Sequence, residues 1–244
     1  MLRQRTATFE IRPPGIEEIM QMKRMVPAGL LSLCCLTIAA VRAEEWSQFR
    51  GPHRDNRSPE TGLLTEWPED GPKLLWTARG IGEGFSTVAI EDGVVYTAGN
   101  IDDSEQVIAL GEKSCKILWT TTFGPAYHQG RGDGPRGTPT IDGDFLYILG
   151  GSGNLACINR QTHDVVWKRN ILEDFGGQNI RWGISESVLI DGDRLICTPG
   201  GDEATMVALD KRTGEDIWKS LVEGDDEAGY ASVVITNVGG VRQY

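Results

Sequence analysis

Histidine is nearly missing from this 244-residue chain: the 3 present, His53, His128 and His163, are too far apart to suggest a metal centre. No Ser/His/Asp grouping is apparent either, and no catalytic residue can be named. Cysteine is almost as scarce, with 5 in all. Cys34 and Cys35 lie in an apolar run, while Cys115, Cys157 and Cys197 are widely spaced with no CxxC, so neither a disulfide framework nor a zinc site is indicated. Positive charge is the third shortage, 24 Lys+Arg against 35 Asp+Glu, for a net charge of −11. The first 43 residues hold six basic and three acidic side chains, which leaves 18 against 32 for the rest. Such a surface repels phosphate backbones and excludes nucleic acid as a partner class.

Long hydrophobic runs are also lacking. The one apolar stretch, Met25 to Ala40, is about 16 residues, short of the roughly 20 of a spanning helix, so no stable transmembrane anchor is expected. Lys23-Arg24 precedes it and Val41-Arg42-Ala43 follows with a small-residue cleavage site, the pattern of a secretory signal peptide. Leu33 before Cys34 argues against lipidation. Met22 makes an ordinary signal start, which marks residues 1–21, with Pro13-Pro14-Gly15, as an extension from a mis-assigned start. The expected organisation is therefore extension 1–21, signal 22–43, lead-in 44–75 and a repeat region 76–244, in a protein secreted to the periplasm or cell envelope.

What the chain has in abundance is glycine, 31 residues, and a repeat. An eleven-residue segment ending in tryptophan occurs three times, Ala109 to Trp119, Cys157 to Trp167 and Ala208 to Trp218, with the tryptophans 48 and 51 residues apart. That period belongs to propeller blades. Each copy follows a hairpin unit of two apolar runs around a turn, at Val88 to Tyr96, Pro139 to Tyr147 and Val188 to Ile196. The intervening length suits four short strands. The expected fold is thus all-β, a β-propeller of four-stranded blades. About three blades are complete, and a fourth hairpin from Ala231 to Tyr244 makes an incomplete ring whose open blade face is an aggregation hazard.

Within the segment, Asp210 and Asn159 can cap the turn with a side-chain oxygen, Thr213 follows, and Gly214 supplies a positive φ. Cys115 and His163 stand in the glycine position of the other copies, so those turns are expected to be more strained or differently shaped. Trp119, Trp167 and Trp218 are expected to dock each blade on its neighbour.

These residues resemble the PQQ-like (pyrroloquinoline quinone) β-propeller repeat family, whose docking segment reads Ala-x-Asp-x-x-Thr-Gly-x-x-x-Trp, over about residues 76–244. The stretch Trp46-Ser47-Gln48-Phe49-Arg50-Gly51-Pro52 through Trp76 is similar to the lead-in of secreted bacterial members, planctomycete ones especially. The family includes quinoprotein alcohol dehydrogenases and BamB-like scaffolds. For the former, the resemblance implies PQQ near the axis, calcium, an Asp base and an adjacent cysteine pair. The sequence itself requires no cofactor, and no ligand set maps onto it residue by residue.

Four connections, 77–86, 120–138, 168–187 and 219–232, should converge on one face, where binding is expected. The second holds His128, Arg131, Asp133 and Arg136; the third holds Arg181 and Trp182. Arg136 and Arg181 suit an anionic ligand with Trp182 as a stacking surface. Against this stands a structural reading in which they pair with Glu83, Glu173 and Asp174. The tripeptide Arg131-Gly132-Asp133 arises easily by chance, and His53 and His163 read as exposed polar residues. The expectation is an envelope binding or scaffold protein with a protein or cell-surface partner on the loop face, monomeric as a full-length ring. The alternatives are a PQQ-dependent dehydrogenase and a truncated, non-functional piece of one.

Overall fold

The computed structural model describes residues 45–224 and 226–244; the extension and signal lie outside them. Three four-stranded antiparallel sheets follow one another along the chain. The first is β1 (Ala89–Glu91), β2 (Val94–Ile101), β3 (Ser104–Gly111) and β4 (Ile117–Pro125). The second is β5 (Thr140–Asp142), β6 (Phe145–Leu149), β7 (Asn154–Asn159) and β8 (Val165–Asn170), followed by the short helix α1 (Ile171–Phe175). The third is β9 (Leu189–Asp191), β10 (Arg194–Cys197), β11 (Met206–Asp210) and β12 (Asp216–Ser220). A two-stranded hairpin, β13 (Thr236–Val238) with β14 (Val241–Gln243), closes the series. Each strand pairs with the next in sequence, as blades require, and the ring is not closed.

The core lies between sheets. Tyr147, Leu149, Leu155 and Cys157 of the second sheet face Leu195, Cys197, Val207 and Leu209 of the third. Leu146, Ile148, Ala156 and Ile158, on the other side of the second sheet, face Tyr96, Ala98, Val107 and Ala109 of the first. Alternate residues of β6 and β7 therefore serve two cores, which is why these strands read as unbroken apolar runs.

The tryptophans stand at the seams. Trp167 donates from Nε1 to the carbonyl of Lys211 at 3.0 Å, and its indole lies over Gly214, where an added Cβ would meet the ring at 2.9 Å. Trp119 stacks on His163 at 4.6 Å, and Trp218 meets Tyr244 at 5.9 Å. The turns are built as their residues dictate: Asp210 Oδ1 accepts from the backbone of Arg212 and Thr213 at 2.8 and 2.9 Å, and Asn159 Oδ1 from Gln161 and Thr162 at 2.8 and 3.0 Å. Gly214 has φ +76°, and Cys115 and His163 hold the same left-handed turn at +57° and +66°.

Two features depart from the sequence reading. The fourth strand of the first sheet runs on to Pro125, which shortens the connection that follows. The third connection contains α1, because Asn170 caps it, accepting from Leu172 and Glu173 at 3.0 and 3.2 Å, and Ile171, Leu172 and Phe175 bury their side chains.

The lead-in is a strap along the inner edge strands. Trp46 pairs with Ile90 of β1 through two backbone bonds of 2.9 and 2.8 Å, and Ser47 accepts from Ile141 of β5 at 2.8 Å. Arg54, buried, donates to the carbonyls of Ser187 and Val188 at 2.5 and 3.0 Å. Edges that would otherwise expose unpaired amides are thereby covered.

Candidate functional site

The connections do converge. A hydroxyl stands three residues before the hairpin isoleucine in each copy, at Thr87, Thr138, Ser187 and Ser232, and these residues are bonded in series. Thr87 and Thr138 share a 2.6 Å hydroxyl contact, Thr138 N donates to Ser187 Oγ at 2.9 Å, and Ser187 N donates to Ser232 Oγ at 2.9 Å. This ladder fixes the starts of successive inner strands against one another, and with them the loops that lead in. The repeated Ser/Thr position was readable in the sequence once the hairpins were aligned.

On that face Phe85, Gln129, Arg131, Arg136, Trp182, Ser185 and Tyr230 line a cleft of 280 Å³. None of them lies in a strand, so the cleft is made wholly of loop side chains. Arg136 is half-buried and rigidly held: its guanidinium donates to the carbonyls of Gly132 and Gly134 and rests on Tyr127 and Phe85, 4.6 and 5.4 Å from the ring centres. Trp182 and Tyr230 face each other at 5.5 Å, and the Trp182 amide donates to the Tyr230 hydroxyl at 3.2 Å. Arg181 lies over Trp182 at 5.3 Å, while its carbonyl accepts from Gln129 at 3.2 Å.

The structure thus brings Arg136 and Trp182 into one cleft and sets Arg181 at its rim. Glu83, Glu173 and Asp174 do not pair with these arginines. Asp174 binds Arg169 at 2.7 Å instead, because β8 carries Arg169 to the start of α1. Asp133 is likewise engaged: it accepts from Gln129 N at 2.8 Å and meets His128 at 2.7 Å, a bond that raises the histidine and lowers the aspartate from their usual pKa values. Its carboxylate ties the loop together rather than standing out for a partner. Phe85, Gln129, Ser185 and Tyr230 were missed by the sequence reading. Phe85 and Tyr230 sit in the first and fourth connections, and two exposed aromatics in loops already expected to converge were the available signal.

Two buried carboxylates lie close beneath. Glu105 accepts from Gly151 N at 2.9 Å through one oxygen while the other has no partner, and burial pushes its pKa up to about 7. Glu186 accepts from Thr198 N and Oγ1 at 2.9 and 2.7 Å; burial raises it to about 7 against those bonds and the nearby Arg54 charge. Cys157 and Cys197 are buried thiols raised by desolvation, and so are packing residues, not nucleophiles.

Comparison with known proteins adds to this geometry. A family model described as outer membrane protein assembly factor BamB matches residues 104–244. The chain is 28% identical over 149 residues to a quinoprotein ethanol dehydrogenase of Pseudomonas aeruginosa, covering 57% of this chain and 23% of that protein. It is 26% identical over 172 residues to a 1-butanol dehydrogenase (cytochrome c) of Thauera butanivorans, covering 65% and 24%. Among solved structures, the quinohemoprotein alcohol dehydrogenase of Comamonas testosteroni superimposes with a TM-score of 0.51 at 20% identity, over 72% of this chain and 27% of that one, a likeness of fold. The chain spans about a quarter of the length of these relatives.

Proposed function

Because the chain belongs to the PQQ-like repeat family, the one whose matching model is described as outer membrane protein assembly factor BamB, we propose that it is a cell-envelope binding module. Its loop face takes a protein or cell-surface partner, and it does no chemistry of its own. One observation carries this reading. Arg136 is fixed by two backbone carbonyls and two rings, has no bonded carboxylate, and opens on a cleft walled by exposed Phe85, Trp182 and Tyr230. A preorganised cation beside flat apolar faces is built for recognition. The cleft lining holds no His, Cys, Asp, Glu or Lys to activate its two hydroxyls, and that of Ser185 donates to the carbonyl of Gly183 at 3.3 Å.

Similarity to two alcohol dehydrogenases supports a second reading, a PQQ-dependent oxidoreductase. The cleft suits a flat polyanion, with Arg136 and Arg131 for its carboxylates. It does not suit calcium, since no carboxylate lines it and, among the described residues, no three ligating side chains cluster. The adjacent pair Cys34-Cys35 lies outside the described residues. When bound, the quinone would supply the electron acceptor. Adding PQQ and Ca²⁺ to the purified chain separates the two readings. We expect neither a bound-quinone absorbance band nor alcohol-dependent dye reduction, and dye reduction would overturn the non-enzymatic reading.

A further inference from the structure

The cleft has a chemistry that narrows its ligand. In a chain of net charge −11, Arg131 and Arg136 line one opening with Arg181 over its Trp182, and no carboxylate lines the cleft itself, Asp133 being bonded to His128 and Asp174 to Arg169. That local reversal of charge selects an anion. The walls are aromatic: Phe85, Trp182 and Tyr230 are 59%, 41% and 49% exposed, and although Arg136 lies over Phe85, Arg181 over Trp182, and Trp182 and Tyr230 meet at 5.5 Å, each ring keeps surface open to a ligand. At 280 Å³ the space is at the small end of binding clefts, which run from about 300 Å³ upward, and holds a single ring. A second groove of 650 Å³ shares Phe85 and Gln129 with it, but Glu83 and Asp133 line that groove beside its glycines, so the anion site is confined to the smaller cleft.

A peptide has no obvious purchase here. The lining contains no strand whose edge could pair with an extended segment, and no long apolar groove for a helix. A sugar ring fits better, because its axial C–H bonds present a weakly positive face to the negative face of an aromatic ring. Its carboxylate can accept from the guanidinium N–H groups that Arg136 does not spend on Gly132 and Gly134.

We propose that the loop-face cleft binds a uronic-acid residue of an acidic polysaccharide, its ring packed against the exposed surface of Trp182, Tyr230 and Phe85 and its carboxylate on Arg136. The proposal rests on the binding-module reading and names the cell-surface ligand of that same face. Gln129 and Ser185 supply hydrogen bonds to ring hydroxyls.

Calorimetric titration of the full chain with trigalacturonic acid tests it, beside the methyl ester of the same trisaccharide and a capped hexaglutamate peptide. The acid should bind with a dissociation constant of about 0.1–1 mM, and the methyl ester at least about tenfold more weakly for loss of the charge-assisted bonds. Trp182→Ala, at an exposed position that leaves the fold intact, should weaken the acid about tenfold. Arg136→Gln should bring acid and ester to equal affinity. Equal binding of acid and ester by the native chain, an unaffected Trp182→Ala variant, or no binding of the acid would overturn the proposal. Tighter binding of hexaglutamate would replace the sugar with an acidic peptide. Dye reduction with PQQ would instead remove the non-enzymatic reading, so the two failures are told apart.

Discussion

Glu186 occupies a position where the other copies of the repeat carry Ser86, Gly137 and Ala231, and it is 1% exposed. Because burial raises its folded pKa to about 7 from an ordinary 4.5, the folded chain keeps a proton that the unfolded chain releases. Stability from this group is therefore full below about pH 4.5 and falls as pH rises to about 7, by about 3 kcal/mol. Glu105 acts in the same direction. Thermal melts should show Glu186→Gln more stable than the native chain by about 2–3 kcal/mol at pH 8 and equal to it at pH 4.5. Parallel melting curves across that window would sink the idea. The left-handed turn residues give a second contrast. Cys115→Gly should gain about 0.5–1 kcal/mol by relieving φ +57°. His163→Gly should gain nothing, because it also loses the stacking on Trp119 at 4.6 Å, worth about 0.5–1.5 kcal/mol. Equal effects in urea titrations would mean that the ring contact contributes little.

At the scale of elements, the sheets were legible in the sequence, and for a physical reason. Four-stranded blades repeat their turn chemistry, so Asp210, Thr213 and Gly214 announce a turn that Asn159 and Thr162 then repeat. The lead-in strap was not legible, since Trp46, Ser47 and Arg54 act through edge amides and carbonyls that leave no mark on side-chain periodicity. The cleft was half legible: Arg136 and Trp182 stood out by residue type, whereas Tyr230 lies 48 residues from the Trp182 amide it accepts from, a contact that only the fold supplies. Two substitutions test how elements join. Arg54→Ala should cost about 2–4 kcal/mol, from two charge-assisted bonds to Ser187 and Val188, and an unchanged melting temperature would detach the strap from the third sheet. Blade docking by tryptophan, proposed from the seam contacts, predicts coupling between Trp167 and Gly214. Gly214→Ala should be strongly destabilising in the native chain, where its methyl meets the indole at 2.9 Å, and much less so beside Trp167→Ala. Additive losses in the double-mutant cycle would separate the two residues.

At the largest scale the decisive fact is apolar surface that has no neighbour among the described residues. The segment Lys73-Leu74-Leu75-Trp76-Thr77 repeats the pattern of Lys116-Ile117-Leu118-Trp119-Thr120, yet Leu74 and Leu75 are 77% and 79% exposed and lie in no strand. At the other end of the series, Val238 and Val241 pair only with each other across the β13–β14 hairpin and are each 58% exposed. Unpaired edges of this kind favour association with another chain, because both backbone amides and apolar side chains gain partners. The net charge of −11 opposes it through mutual repulsion, which salt screens. Sedimentation velocity on the 244-residue chain should therefore show association that grows with protein concentration and with added sodium chloride. Replacing Val238 and Val241 by lysine should suppress it if the hairpin edge is the contact, and replacing Leu74 and Leu75 by lysine should do so if the lead-in is. A single monomeric species at every concentration and salt level would show that these apolar residues are covered within the chain in solution.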